Sequence, residues 1–98
     1  LKKTPENNVK KEIKDYLKLN GWFVRHNLQG IGCYKGMPDM KATKNGITIE
    51  IECKSKEGDQ SDKQREYEQD LVEHGGHYLV VRGYEDIKRW EEDYRGSY

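Results

Sequence analysis

Cysteine is scarce in this 98-residue chain, and long apolar runs and a net charge are missing altogether. The two cysteines, Cys33 and Cys53, have no CxxC or Cys/His spacing. That excludes a disulfide framework and a structural zinc site, and leaves two reduced thiols of the kind a cytosolic protein carries. No apolar stretch approaches the roughly 18 residues that a membrane span requires, and no signal-peptide core follows the basic start. A cytoplasmic, non-secreted protein of bacterial or phage-infected cells is expected, and the leading Leu1 leaves an initiator methionine or a tag unaccounted for. Leu, Ile, Val and Phe total only 18 residues, a level that signals disorder when net charge is high. Here 18 basic and 18 acidic side chains cancel. Seven Tyr and two Trp add buriable area, so a thin core is attainable. The chain has no repeat, low-complexity tract or linker, and its length fits one domain over residues 1–98.

The zero balance conceals a segregation. Residues 1–56 hold 12 basic and 6 acidic side chains, and residues 57–98 hold 6 and 12. One reading is solvated helix faces; the sharper one is a basic surface toward a polyanion with acid behind it.

Thr4-Pro5-Glu6 has the form of a helix start, and Val9, Ile13, Tyr16 and Leu17 then recur at helical spacing before Gly21. Residues 22–26 form a strand candidate, and three glycines mark residues 27–36 as a loop. Residues 37–44 and 47–55 flank Asn45-Gly46, a strong hairpin signal. Ser61-Asp-Lys-Gln64 has the form of a capping box, opening a helix that ends near Gly75-Gly76. Residues 78–81 read as a continuous apolar strand, the kind covered on both faces. Ile87, Trp90 and Tyr94 suggest a short last helix, with Glu91-Glu92-Asp93 in a solvated tail and residues 96–98 fraying. The predicted order is α-β-β-β-α-β-α.

The hairpin serves as a ruler. A two-residue Asn45-Gly46 turn pairs Lys44 with Ile47, Lys41 with Glu50 and Asp39 with Glu52. Ile47, Ile49, Ile51 and Cys53 then face one way, and Thr48, Glu50, Glu52 and Lys54 the other. Asp39 and Glu52 come to about 4.5–5.5 Å between Cβ atoms, with Lys54 diagonal to them. Two carboxylates at that separation repel by roughly 3 kcal/mol at an effective dielectric near 20, unless positive charge lies between them. Lys54 and a hard divalent cation are the candidates, and together they equip a site for phosphodiester hydrolysis. The alternative is an edge hairpin bearing a cross-strand ion network. Pro38 counts against that alternative, because a proline entering the strand removes a ladder donor.

Gly36-Met37-Pro38-Asp39, followed after twelve residues by Glu52-Cys53-Lys54, resembles the PD-(D/E)XK nuclease signature. Gln60-Ser61-Asp62-Lys63-Gln64, with Gly75-Gly76 and the strand after it, is similar to the VRR-NUC subfamily, and the resemblance covers roughly residues 6–82. It implies an α/β fold with a restriction-endonuclease-like core (α-β-β-β-α-β plus a short C-terminal helix) around a mixed central sheet. The core is expected at about residues 5–82, with a helix and tail over 84–98.

By resemblance, Asp39 and Glu52 are metal ligands, Lys54 is the catalytic lysine, and the Cys53 carbonyl is a third protein ligand. A first-helix glutamate of the family maps best to Glu12, which lies about 60° from Val9 on a helical wheel, at the edge of the apolar stripe. Gln64 matches the family's helix glutamine, although its capping-box role competes for the same side chain. Lys10, Lys14, Arg25, Lys35, Lys56 and Gln60 are candidates for DNA contact. His74 and His77 are read as complements to a helix dipole. The expected activity is a metal-dependent DNA endonuclease using Mg²⁺, with Mn²⁺ substituting. Stand-alone relatives are Holliday-junction-resolvase-like, so branched DNA and a homodimer are the expected partners. The rival reading is a catalytically idle DNA-binding or protein-interaction module that keeps the fold.

Overall fold

A computed structural model describes residues 6–28 and 32–96. The element order is α1 (Glu6–Leu19), β1 (Phe23–His26), β2 (Met40–Lys44), β3 (Ile47–Cys53), α2 (Asp62–Glu73), β4 (His77–Val81) and α3 (Tyr84–Gly96). This is the predicted succession. β1 to β3 are shorter at their ends than the sequence pattern implied, β4 begins one residue earlier, and α3 continues through Glu91-Glu92-Asp93 rather than stopping before an acidic tail. The predicted Thr4 cap and Pro5 lie outside the described residues, as do residues 97–98.

Four strands form one mixed sheet in the order β1-β2-β3-β4. The first two pairings are antiparallel and β3–β4 is parallel, so α2 serves as the crossover that a parallel pair requires. Asn45 and Gly46 both have positive φ, 51° and 80°, which makes the tight hairpin turn that matches strand twist. The register follows: Lys44 pairs with Ile47, Lys41 with Glu50 and Met40 with Ile51. Asp39 therefore stands one step beyond the strand, in line with Glu52.

One sheet face carries the core. Met40, Ala42, Ile49, Ile51, Cys53, Leu79 and Val81 are buried there against Val9, Ile13 and Leu17 of α1 and Ile87 of α3. The other face is covered by α2, and its attachment is different in kind, since α2 has no buried residue. The Tyr67 hydroxyl donates to Glu50 Oε1 at 2.6 Å, Gln64 Nε2 donates to Glu52 at 2.9 Å, and Tyr67 packs against Tyr78 with ring centroids 6.2 Å apart. At the hairpin's turn end, Trp22, Trp90 and Tyr94 form an aromatic cluster that His77 meets edge-on. His77 is thus an aromatic-cluster residue and not a dipole complement. His74, the C-cap of α2, does sit at the helix end.

Gly36 fixes how the glycine-rich loop meets α2. Its φ is +80°, and a Cβ there would lie 2.1 Å from the carbonyl oxygen of Lys63. The obstacle is backbone, which cannot swing aside as a side chain can. Gly36→Ala is expected to destabilise the protein by at least about 2 kcal/mol, from left-handed strain and displacement of the first turn of α2. Urea denaturation measures this; an unchanged midpoint would show that loop and helix are not locked together.

Candidate active site

Four short-range choices bring the site together. The hairpin register aligns Asp39 with Glu52. The strand alternation of β3 points Glu52 toward α2, away from the apolar face. Asn27 then fixes the approach to Asp39: its side-chain amide donates to the Pro38 carbonyl at 2.9 Å, and its backbone N–H to the Asp39 carbonyl at 3.0 Å. Finally, Asp39 Oδ2 accepts the backbone N–H of Cys53 at 2.7 Å, which spans the two arms of the hairpin. The Cys53 side chain points into the core, as predicted, and burial, Asp39 and Glu52 push its thiol pKa up.

Glu52 is the chemically conspicuous residue, because it is a carboxylate only 2% exposed. Its Oε2 accepts from Gln64 Nε2 at 2.9 Å and lies 3.4 Å from Lys54 Nζ. Its Oε1 is buried with no hydrogen-bond partner among the described residues. Burial, and then the negative charge of Asp39, raise its pKa to about 7 against the opposing pull of Lys54. A buried acceptor without a partner is expensive unless something else satisfies it.

The third carboxylate is Glu6, not Glu12. Oxygens of Glu6, Asp39 and Glu52 all lie within 4.8 Å of one another. Glu12 is exposed, and its Oε2 accepts the backbone N–H of Tyr84 at 2.9 Å, at the first residue of α3. The short connection from Leu19 to Phe23 folds α1 back along β1, so the start of the helix reaches the end of β1 that lies beside Asp39. Glu12 is six residues further along, about 9 Å down the axis. Of the two glutamates, only the one in the first turn reaches the carboxylates. The acid of that turn was legible as a helix-start signal, but helix direction over the sheet was needed to give it a second role.

Gln64 does both jobs that seemed exclusive. Its Oε1 accepts the Ser61 backbone N–H at 2.8 Å, and the Ser61 hydroxyl accepts from Gln64 N at 3.2 Å, completing the capping box. Its Nε2 still reaches Glu52. An amide has an acceptor end and a donor end, and each is used once. Gln60 is occupied in tethering: its Nε2 donates to Glu68 at 2.9 Å and to the Tyr78 hydroxyl at 3.4 Å.

The basic candidates separate. Lys10 is drawn into the cluster, with Nζ 3.2 Å from Asp39 Oδ1 and 3.9 Å from Glu6. Burial works to lower its pKa, but the charge and hydrogen bond of Asp39 outweigh this and raise it. Arg25 stacks over the Phe23 ring at 4.6 Å and donates to Thr43 Oγ1 at 3.0 Å, on the sheet face that also bears Glu50. Lys35 and Lys56 are exposed and Lys14 is half-buried. Lys35 lines a polar cleft of about 230 Å³ with Tyr34, Lys63 and Tyr67, beside the loop that leads to Asp39.

Three converging carboxylates, one of them with a buried oxygen that has no partner among the described residues, are a donor set suited to a hard divalent cation. No helix among the described residues is long and apolar enough to cross a membrane. No family model matches the sequence, and no curated protein does. A solved structure described as a VRR_NUC domain is similar in fold: the TM-score is 0.72 at 25% identity, over 93% of this chain and 99% of that one. The three helices and the mixed four-stranded sheet match that domain, a restriction-endonuclease-like fold, across almost the full length of both chains, and the likeness supports assignment to the VRR-NUC family.

Proposed function

We propose that this protein is a divalent-metal-dependent DNA endonuclease that cleaves branched DNA, Holliday junctions among them, as a homodimer. The observation that carries the reading is the buried, unpartnered Oε1 of Glu52, facing a cluster completed by Asp39 and Glu6 and flanked by Lys54. A fold that merely needed a strand residue there has no use for that acid.

Asp39, Glu52 and Glu6 would hold the ion, with the Cys53 carbonyl as a further ligand. Once bound, the ion supplies acidified water and charge stabilisation at the phosphate. The chain's own groups supply positioning. The Cys53 N–H fixes one oxygen of Asp39, leaving the other directed into the cluster. Gln64 engages Oε2 of Glu52, so that Oε1 is the oxygen on offer. Lys54, 11% exposed at its side chain and set by Glu52, orients the attacking water and offsets the charge that builds on the phosphate oxygens. Phosphate contacts by Lys35, Lys56 and Lys14 would hold the strand.

Labelled junction, flap and plain duplex DNA, incubated with and without Mn²⁺, test the reading, with light scattering for mass. Cleavage that requires the ion and favours the junction supports it. Failure to bind Mn²⁺, or binding that persists in Asp39→Ala, overturns it in favour of an idle DNA-binding module.

A further inference from the structure

Two lysines flank the carboxylates, and they are held differently. Lys54 Nζ reaches Glu52 Oε2 from the position just past the end of β3, and its side chain is 11% exposed. Lys10 comes from α1, its side chain is 35% exposed, and its ammonium lies 3.2 Å from Asp39 Oδ1 and 3.9 Å from Glu6 Oε2. Asp39 Oδ2 is already committed to the Cys53 N–H. Oδ1, the Asp39 oxygen that this backbone bond leaves open, is the one Lys10 meets.

We propose that Lys10 is a built-in counter-cation: it neutralises Asp39 and Glu6 while the cluster holds no ion, and a divalent metal displaces it into solvent. This rests on the metal reading of the site above. The argument is one of competition for an oxygen. A hard cation sits at roughly 2.0–2.1 Å from its oxygen ligands, and an ammonium on the same oxygen would meet it as a like charge at contact range. Repulsion between the two cations across the shared carboxylate favours the departure of one of them. Lys54 is enclosed, whereas Lys10, with a third of its side chain exposed and a long flexible stem, has a route outward. The exchange would set metal affinity below what the carboxylates alone provide, and would free an ammonium at the rim where a phosphate arrives.

The test is calorimetric titration of the full chain with Mn²⁺, comparing wild type, Lys10→Met and Lys10→Gln, with a urea midpoint in EDTA for each. Both variants are expected to bind Mn²⁺ about tenfold more tightly than wild type, as removal of a competing charge predicts, while their metal-free midpoints fall. A lysine with a merely structural role would lower both quantities. Displacement itself is read by acetic anhydride labelling and mass spectrometry. Lys10 reactivity should rise several-fold when Mn²⁺ is added, relative to Lys11, whose surface pair with Asp15 is remote from the exchange. Unchanged or weaker Mn²⁺ affinity in both variants, or Lys10 labelling indifferent to Mn²⁺, overturns the counter-cation role while leaving the metal site standing. Wild-type protein that binds no Mn²⁺, or binding that survives Asp39→Ala, removes the site itself and this role with it.

Discussion

Glu52→Ala is expected to lower metal-dependent DNA cleavage by about a thousandfold, a loss of roughly 4 kcal/mol of transition-state stabilisation, while the protein stays folded. Asp39→Ala and Lys54→Ala should fall in the same range. The reasoning starts from what each side chain touches. Glu52 contributes a buried side-chain oxygen without a partner among the described residues and lies 3.4 Å from Lys54, so its removal strips a proposed ion ligand and frees the lysine together. Groups that act as one unit lose their contributions jointly, so the double variant Glu52→Ala/Lys54→Ala should be little worse than either single one. Folding should survive because none of the three belongs to the apolar cluster between sheet, α1 and α3. Rates under single-turnover conditions, beside circular dichroism of each variant, are the check. Undiminished cleavage by purified Glu52→Ala protein would falsify the nuclease assignment.

The second large effect is on stability and has a definite sign with pH. Without metal, the folded-state pKa of Glu52 stands at about 7, above the model-peptide value of 4.5 that serves for the unfolded chain. Between those values the folded protein binds more protons than the unfolded one, so stability is greatest at the acid end and falls as pH rises through 7. The loss attributable to this one carboxyl is on the order of 3 kcal/mol between pH 4.5 and pH 8. Glu52→Gln keeps a carbonyl acceptor for Gln64 but no ionisable group. In EDTA it should be more stable than wild type at pH 8 by about 2–3 kcal/mol, with the difference vanishing near pH 4.5. Paired urea denaturation curves at the two pH values decide it; a wild-type/Gln difference that does not change with pH would show that burial and Asp39 do not perturb this acid as argued. A divalent ion should restore at pH 8 what ionisation removes, because whatever binds only the folded state stabilises it. Activity and metal-free stability thus pull against each other at a single residue.

Much of this was readable one residue at a time. The Asn-Gly turn specifies its own backbone conformation, strict alternation specifies the faces, and the pairing of Lys41 with Glu50 and the placement of Asp39 near Glu52 follow without any tertiary information. Ser61 and Gln64 announced the start of α2 by the same local chemistry. What was not readable depended on how elements dock. Glu12 has the favourable wheel angle, but distance along the helix decides which acid arrives, and that distance is set by the turn at Leu19–Phe23. The amide of Gln64 reaches Glu52 only because α2 crosses the sheet face at that point. Asn27, Tyr67 and Tyr78 are ordinary loop and helix or strand residues in the sequence, and gain their roles from partners 11 to 18 positions away.

The second helix, with no buried residue, has a consequence for how the molecule breathes. Its links to the sheet are mostly polar, and the two that reach down to β3 end on Glu50 and Glu52. A unit fastened in that way is expected to open at lower free energy than the apolar half of the domain, as earlier hydrogen exchange of the α2 amides would show. Because one fastening is the proposed ligand itself, the ionisation state of Glu52 and the looseness of α2 are linked through the Gln64 hydrogen bond. The lid over the chemistry and the chemistry share a hinge.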